Sequence, residues 1–169
     1  MDAAELRAMQ APIKERYKQD PSAAVITLKA KGSTDTEGLA CKVETGRALA
    51  VAGLHPASGG SGLELCSGDM LLEALVACAG VTLKSVATAV EVPLKQGLVF
   101  AEGDLDFRGT LGVDKEAPVG FAEIRLRFEV DTPAPQEKLD LLLKLTERYC
   151  VVYQTIRNGP KVSVSMKRM

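Results

Sequence analysis

The residues of this 169-residue chain best suited to chemistry are its thiols, Cys41, Cys66, Cys78 and Cys150. A thiolate attacks electrophilic oxygen or sulfur, and the resulting sulfenic acid closes to a disulfide when a second thiol is near. Each cysteine also has an ordinary alternative, that of a small buried hydrophobe. For Cys41, set in a strand pattern, that alternative is the natural reading. Cys66 falls just before a helix, where unpaired N–H groups favour a thiolate, and is a candidate third reactive thiol. Cys78 is flanked by Ala77, Ala79 and Gly80, which leave room around its sulfur. From these residues alone it stays open between core packing and redox use. The single histidine, His55, precedes Pro56 and reads as a turn residue rather than a catalytic one. With no CxxC and no histidine pair, neither a metal site nor a bound cofactor is expected. The run Gly59-Gly60-Ser61-Gly62 lacks the Lys-Ser/Thr that would complete a phosphate cradle.

The element that must position Cys78 is the stretch from Leu63 to Val90. A Gly-rich loop ends at Ser67-Gly68-Asp69, where Ser67 or Asp69 can cap a helix. From Met70 to Val90 the polar residues are few: Glu73, Thr82, Lys84, Ser85 and Thr88. A helix so apolar on most sides belongs in the middle of a fold. Lys84 and Gly80 interrupt it, so it reads as a core helix and no membrane span is expected.

Around it the pattern predicts an N-terminal helix over 2–18 with a break at Pro12. A strand follows over 24–31, a polar turn over 32–38, and two strands over 39–44 and 47–52, arranged as a meander. After Val90, a strand carries Val99, Ala101, Gly103, Leu105 and Phe107 on one face. In the next, Ala122, Ile124, Leu126, Phe128 and Val130 alternate with charges. One amphipathic helix is expected from about Pro135 to Tyr153, carrying Cys150, and a terminal strand displays Val162, Val164 and Met166. Strands in runs, not alternating with helices, indicate an α+β fold with antiparallel sheets. The central helix is more apolar than one sheet demands, which points to a partner subunit covering it.

Composition narrows the function classes. Hydrophobic content of 46% with 25% charged residues is that of a globular domain with a real core. A net charge of −1 gives no footprint for nucleic acid or acidic membranes, and 4% aromatics without tryptophan offers no base-stacking platform. The N-terminal residues lack an apolar signal core. The four scattered cysteines do not form a secreted disulfide framework, so a reducing cytoplasm is the expected location.

Three segments, GDMLLEALVACAGVTLKSVA, PVGFAEIRLRFEV and LTERYCVVYQTI, together resemble the osmotically inducible protein C family, which includes the organic hydroperoxide resistance proteins. That family's two cysteine contexts fall here on Ser67 to Cys78 and on Glu147 to Val152. The similarity covers roughly residues 23–166. Residues 1–20 then form an N-terminal helical extension, and 21–169 a single OsmC-like domain. The resemblance implies an intertwined homodimer in which two curved antiparallel sheets wrap around central helices. It implies thiol-dependent reduction of organic hydroperoxides, with Cys78 as the peroxidatic thiolate and Cys150 as the partner that forms a disulfide reopened by a dithiol reductant. Leu71, Leu75 and Thr82 lie on the Cys78 side of the helix and could line an apolar pocket for the organic group.

The chain departs from the pattern at the groups that stabilise the thiolate. The hairpin KAKGSTDTEG has no Arg where the active reductases carry one, and Lys29 or Lys31 is the nearest cation. The family's glutamate is replaced by Asp69, which an ideal helix sets about 13 Å from Cys78 and on the opposite side. Val-Val-Tyr follows Cys150 in place of Pro-Val. Two other functions stay in view: a non-enzymatic dimer binding a small apolar ligand, and a redox sensor pairing Cys66 with Cys78.

Overall fold

The computed structural model describes residues 2–19, 31–34, 40–44 and 49–168. Helix α1 (Ala3–Gln19) opens with a reciprocal cap. The Glu5 N–H donates to Asp2 Oδ1 at 2.8 Å and the Asp2 N–H donates to Glu5 Oε2 at 2.9 Å. The expected break at Pro12 does not occur, because α1 runs through it. A proline removes one bond from the ladder, and the remaining turns, with buried Leu6 on a helix that packs against the central one, hold the helix together.

The first sheet orders β1 (Lys31–Thr34), β2 (Ala40–Glu44), β3 (Leu49–Gly53) and β4 (Leu65–Cys66). The expected pairing of the second and third strands is present, β2 and β3 running antiparallel with Ala40 opposite Gly53, and β1 pairs antiparallel with β2, Lys31 opposite Glu44. Two features differ from the pattern. Residues 32–34, read as a turn, form β1 together with Lys31, and the two-residue β4 adds to β3 in parallel. The expected strand over 24–31 lies, apart from Lys31, outside the described residues, as does Lys29.

From β4 the chain passes directly into α2 (Ser67–Ala89). Cys66 is its N-cap, and neither Ser67 nor Asp69 caps it. Both sit in the first turn, where the Asp69 carboxylate still complements the positive end of the helix. One stripe, Leu75, Ala79, Leu83, Val86 and Ala87, is buried. Among the described residues α2 is the one helix long and apolar enough to cross a membrane, with a mean hydropathy of 1.7 over its most apolar window. Length and composition alone therefore do not disqualify it as a span, contrary to the sequence expectation. One side of it packs against β5, α4 and α5, while most of the window stays unburied within a single chain.

Strands β5 (Gln96–Leu105) and β6 (Phe121–Asp131) form an antiparallel ribbon over α2, running from Gln96 opposite Asp131 to Leu105 opposite Phe121. Val99, Ala101, Ile124, Leu126 and Phe128 pack inward. Outward, Arg125 donates to Asp104 at 2.8 Å and Arg127 pairs with Glu129. Ala122 was expected on the inner face but is exposed, because an irregularity at Asp104/Leu105 leaves it without a partner and turns Phe121 in. The Phe121 ring lies on Gly103, where a Cβ would meet it at 2.5 Å. Only glycine fits there. Phe107 belongs not to the strand but to a single helical turn, α3 (Phe107–Thr110), capped by Asp106.

The helix expected to run unbroken to Tyr153 is two helices, α4 (Gln136–Tyr149) and α5 (Val151–Asn158), meeting at Cys150 with φ −73° and ψ 107°. The break leaves carbonyls at the end of α4 without helical partners. The Gln154 side-chain amide compensates by donating to the Glu147 carbonyl at 2.8 Å. The terminal strand does not form, and Val162, Val164 and Met166 are almost fully exposed in irregular chain. Alternation predicts a strand only where a sheet edge is within reach, and none of the described edges is bonded to this segment.

Candidate functional site

Cys78 lies midway along α2, half-buried, and Cys150 lies at the α4–α5 junction, 1% exposed. The two share one apolar cluster with Leu75 and Ala79, walled by Val99, Ile124 and Phe128 from the ribbon. Both are free thiols. The packing that joins them is specific. Ala79 is completely buried, so α4–α5 can approach α2 closely at this level.

The break at Cys150 has an electrostatic consequence. Cys150 is the N-cap of α5, so the N–H groups of Val151 and Val152 have no intrahelical acceptor. Both are directed to the Cys78 sulfur. Burial opposes charge on that sulfur. The Val152 N–H, the Cys150 thiol, the Val151 N–H and the Thr82 hydroxyl together outweigh it and hold the Cys78 thiol below the ordinary cysteine range. The Thr82 hydroxyl has one proton, shared between that sulfur and the Cys78 carbonyl oxygen 2.8 Å away. Cys150 shifts the other way. Burial pushes its thiol up, as do its hydrogen bond to Cys78 and the charge there, and the N–H groups of Tyr153 and Val152 offset this only in part. The two thiols are thus biased in opposite directions, Cys78 toward the thiolate and Cys150 toward the protonated thiol.

Beside this pair a cavity of about 530 Å³ opens between β6, α2, α4 and α5. Leu75, Ile124, Leu126, Phe128, Tyr153 and Ile156 line it and also belong to the cluster around the thiols. Of the expected flank, Leu75 and Thr82 lie at the site, whereas Leu71 is exposed and outside the cluster.

Asp69 is not brought to the pair. It lines a separate cavity of about 340 Å³ with His55, Cys66, Leu72 and Phe107. His55 caps the short turn at Pro56–Ser58, its Nδ1 accepting from the Ala57 N–H at 3.0 Å, and its ring stacks on Phe107 at 5.0 Å. Cys66 precedes an uninterrupted α2, so the helical rise sets it about 18 Å from Cys78, far beyond disulfide reach within one chain. Among the described residues no group of three or more His, Cys, Asp or Glu is gathered where it could hold a metal ion.

The α5 N-terminus is the feature that sequence reading missed. Its signal was present in Cys150-Val151-Val152, where β-branched residues follow a motif cysteine inside an otherwise helical run. Periodicity could not show that the chain bends there, because both sides of the bend keep helical spacing.

Solved structures with the same architecture include an OsmC-like protein from Mycoplasma pneumoniae, with a TM-score of 0.65 and 16% identity over 79% of this chain and 89% of that one. An organic hydroperoxide resistance protein OsmC from Legionella pneumophila matches with a TM-score of 0.62 and 17% identity over 80% and 92%. One from Elizabethkingia anophelis, named as an organic hydroperoxide resistance protein, matches with a TM-score of 0.62 and 15% identity over 80% and 91%. At these identities the likeness is one of fold. No curated protein matches significantly in sequence. The family model described as OsmC-like protein matches residues 59–165, spanning both cysteine segments, the ribbon and α4–α5. On that match and that fold, this chain belongs to the OsmC-like family.

Proposed function

We propose that this protein is a thiol peroxidase that reduces organic hydroperoxides to alcohols. The observation that carries the reading is the pairing of a thiolate-biased Cys78 with a protonated, buried Cys150 in one apolar cluster. The Cys78 thiolate attacks the distal peroxide oxygen and the O–O bond breaks. The alkoxide takes a proton from solvent and leaves as the alcohol, and Cys78 becomes a sulfenic acid. The Cys150 thiol then condenses with it, forming the S–S bond and expelling water, and an external dithiol reduces the disulfide. The α5 amides supply the stabilisation that a side-chain cation would otherwise give, which fits the lack of an arginine in the first hairpin. Asp69 takes no part within a single chain. A role for it requires a site completed by a second copy.

A homodimer belongs to the same reading. Only 28% of the most apolar window of α2 is buried, and Val81 is 70% exposed in its middle. A second copy laid on that face would cover it. A reducing cytoplasm suits a protein that works through free thiols.

The test is consumption of cumene hydroperoxide by purified protein with dithiothreitol. Wild type should turn over, Cys78→Ser should be inactive, and Cys150→Ser should accumulate a sulfenic acid that dimedone traps. Robust turnover by Cys78→Ser would overturn the proposal. The oxidised protein should carry a Cys78–Cys150 disulfide in peptide mass spectra.

A further inference from the structure

In an unbroken α-helix each N–H donates to the carbonyl four residues earlier. Helical spacing runs straight through Cys150 in this sequence, so the regular acceptor for the Val151 N–H is the Glu147 carbonyl. The chain does not use it. Cys150 leaves the helical region with ψ 107°. The ladder resumes on both sides of it: the Cys150 N–H donates to the Thr146 carbonyl and the Gln154 N–H to the Cys150 carbonyl, each at 3.0 Å. The Glu147 carbonyl is taken by a side chain instead. Gln154 Nε2 donates to it at 2.8 Å from seven residues away.

The other end of that amide is held as well. Gln154 Oε1 accepts from Asn158 Nδ2 at 2.8 Å, one turn further along α5, so the nitrogen is the end that faces the carbonyl. The side-chain amide thus stands where the Val151 N–H would stand in a continuous helix, and that N–H turns to the Cys78 sulfur. Without Gln154 the bend would leave the Glu147 carbonyl short of a donor. Straightening the helix onto Val151 would then gain a hydrogen bond and withdraw an amide from the sulfur.

We propose that Gln154 is a positioning residue of the thiol site, whose side-chain amide holds the bend at Cys150 and so keeps the first amides of α5 on the Cys78 sulfur. Gln154 is not itself one of the groups bonded to that sulfur; it acts through the backbone of α5. Such a role rests on the reading of Cys78 as the attacking thiolate, and it involves no step of the peroxide chemistry.

Gln154→Met tests it, since methionine keeps the side-chain length and the helical propensity and removes the donor. The readout is the rate of Cys78 alkylation by iodoacetamide in reduced protein, followed by peptide mass spectrometry. Only the thiolate reacts, so at about pH 6 the variant should be about three- to tenfold slower than wild type. At about pH 10, where both sulfurs are ionised, the two rates should agree within a factor of about two. Val151→Pro removes the N–H that would reclaim the Glu147 carbonyl and keeps Cys150 out of the helical region. In that background Gln154→Met should have no further effect at either pH.

Three results would overturn the proposal. One is an unchanged rate at the lower pH. Another is an equal loss at both pH values, which reports access or a damaged fold rather than ionisation. The third is a loss that persists in full in the Val151→Pro background. No peroxide enters these measurements. A low-pH loss in a protein that leaves cumene hydroperoxide untouched would sink the peroxidase reading alone, and turnover without that loss would sink this one alone.

Discussion

Two helices of this chain begin at a cysteine, and the beginnings are built differently. At α2 the N-cap is Cys66, half-buried beside an open cavity, with Asp69 already placed in the first turn and His55 and Phe107 opposite. At α5 the N-cap is Cys150, buried, and no acidic residue occupies the first turn. What receives the α5 amides is the Cys78 sulfur from another helix. A helix N-terminus stabilises whatever negative group reaches it. In α2 that group is a local carboxylate, and in α5 it is a distant thiol brought in by folding. Proximity to a helix start in sequence therefore points to Cys66, while the tertiary arrangement gives the advantage to Cys78.

The contrast can be broken most directly by removing the sulfurs. Cys78→Ser should lower hydroperoxide turnover by at least about a thousandfold, since an alcohol does not replace a thiolate nucleophile. Cys66→Ser should stay within a factor of about two. Equal losses in the two variants would erase the distinction.

A second comparison is structural. Leu75→Ala opens the cluster around the thiols at a residue 1% exposed and should cost about 2–5 kcal/mol, read as a fall in denaturant midpoint. Removing Leu71, 40% exposed on the same helix, should cost well under that in a monomer. A large loss at Leu71 that depends on protein concentration would instead report the covered face of a dimer.

The α5 amides can be edited one at a time. Val151 is the first helical residue, follows an extended Cys150 and is 70% exposed, so proline is tolerated there while its N–H is lost. Val151→Pro should raise the midpoint of Cys78 alkylation with iodoacetamide, measured against pH, with the fold retained by circular dichroism. An unchanged midpoint would show that this amide does not stabilise the thiolate.

The smallest effect is the pH dependence of the wild type. Cys78 has a folded pKa below its unfolded value. Its contribution to stability is therefore fully present above the unfolded value and is lost as pH falls through the folded one. Cys150 is raised, so its contribution runs oppositely: present below the unfolded value and lost as pH rises through the folded one. Alkylation followed site by site should modify Cys78 at lower pH than Cys150. The reverse order would invert the assigned roles.

The sequence by itself determined the local elements and the family. The apolar run after Ser67, the alternation from Phe121 to Val130 and the two cysteine contexts are short-range patterns, and short-range patterns persist in the fold. It did not determine where those patterns stop being realised. Pro12 does not break α1, Val162 to Met166 do not make a strand, and Ala122 loses its inward place to one irregularity in register. Each depends on a partner that the local sequence does not contain.

The site divides in the same way. Cys78 and Cys150 were legible as residues, and Asp69 was legible as an acid at the right spacing. Only the tertiary structure set Asp69 in another cavity and bent the chain at Cys150, so that two free amides meet a sulfur seventy residues earlier in the chain. Hydrogen-bond donors of the backbone are present at every residue but proline. Their direction is a property of the fold, and that is why no reading of residue types could find them.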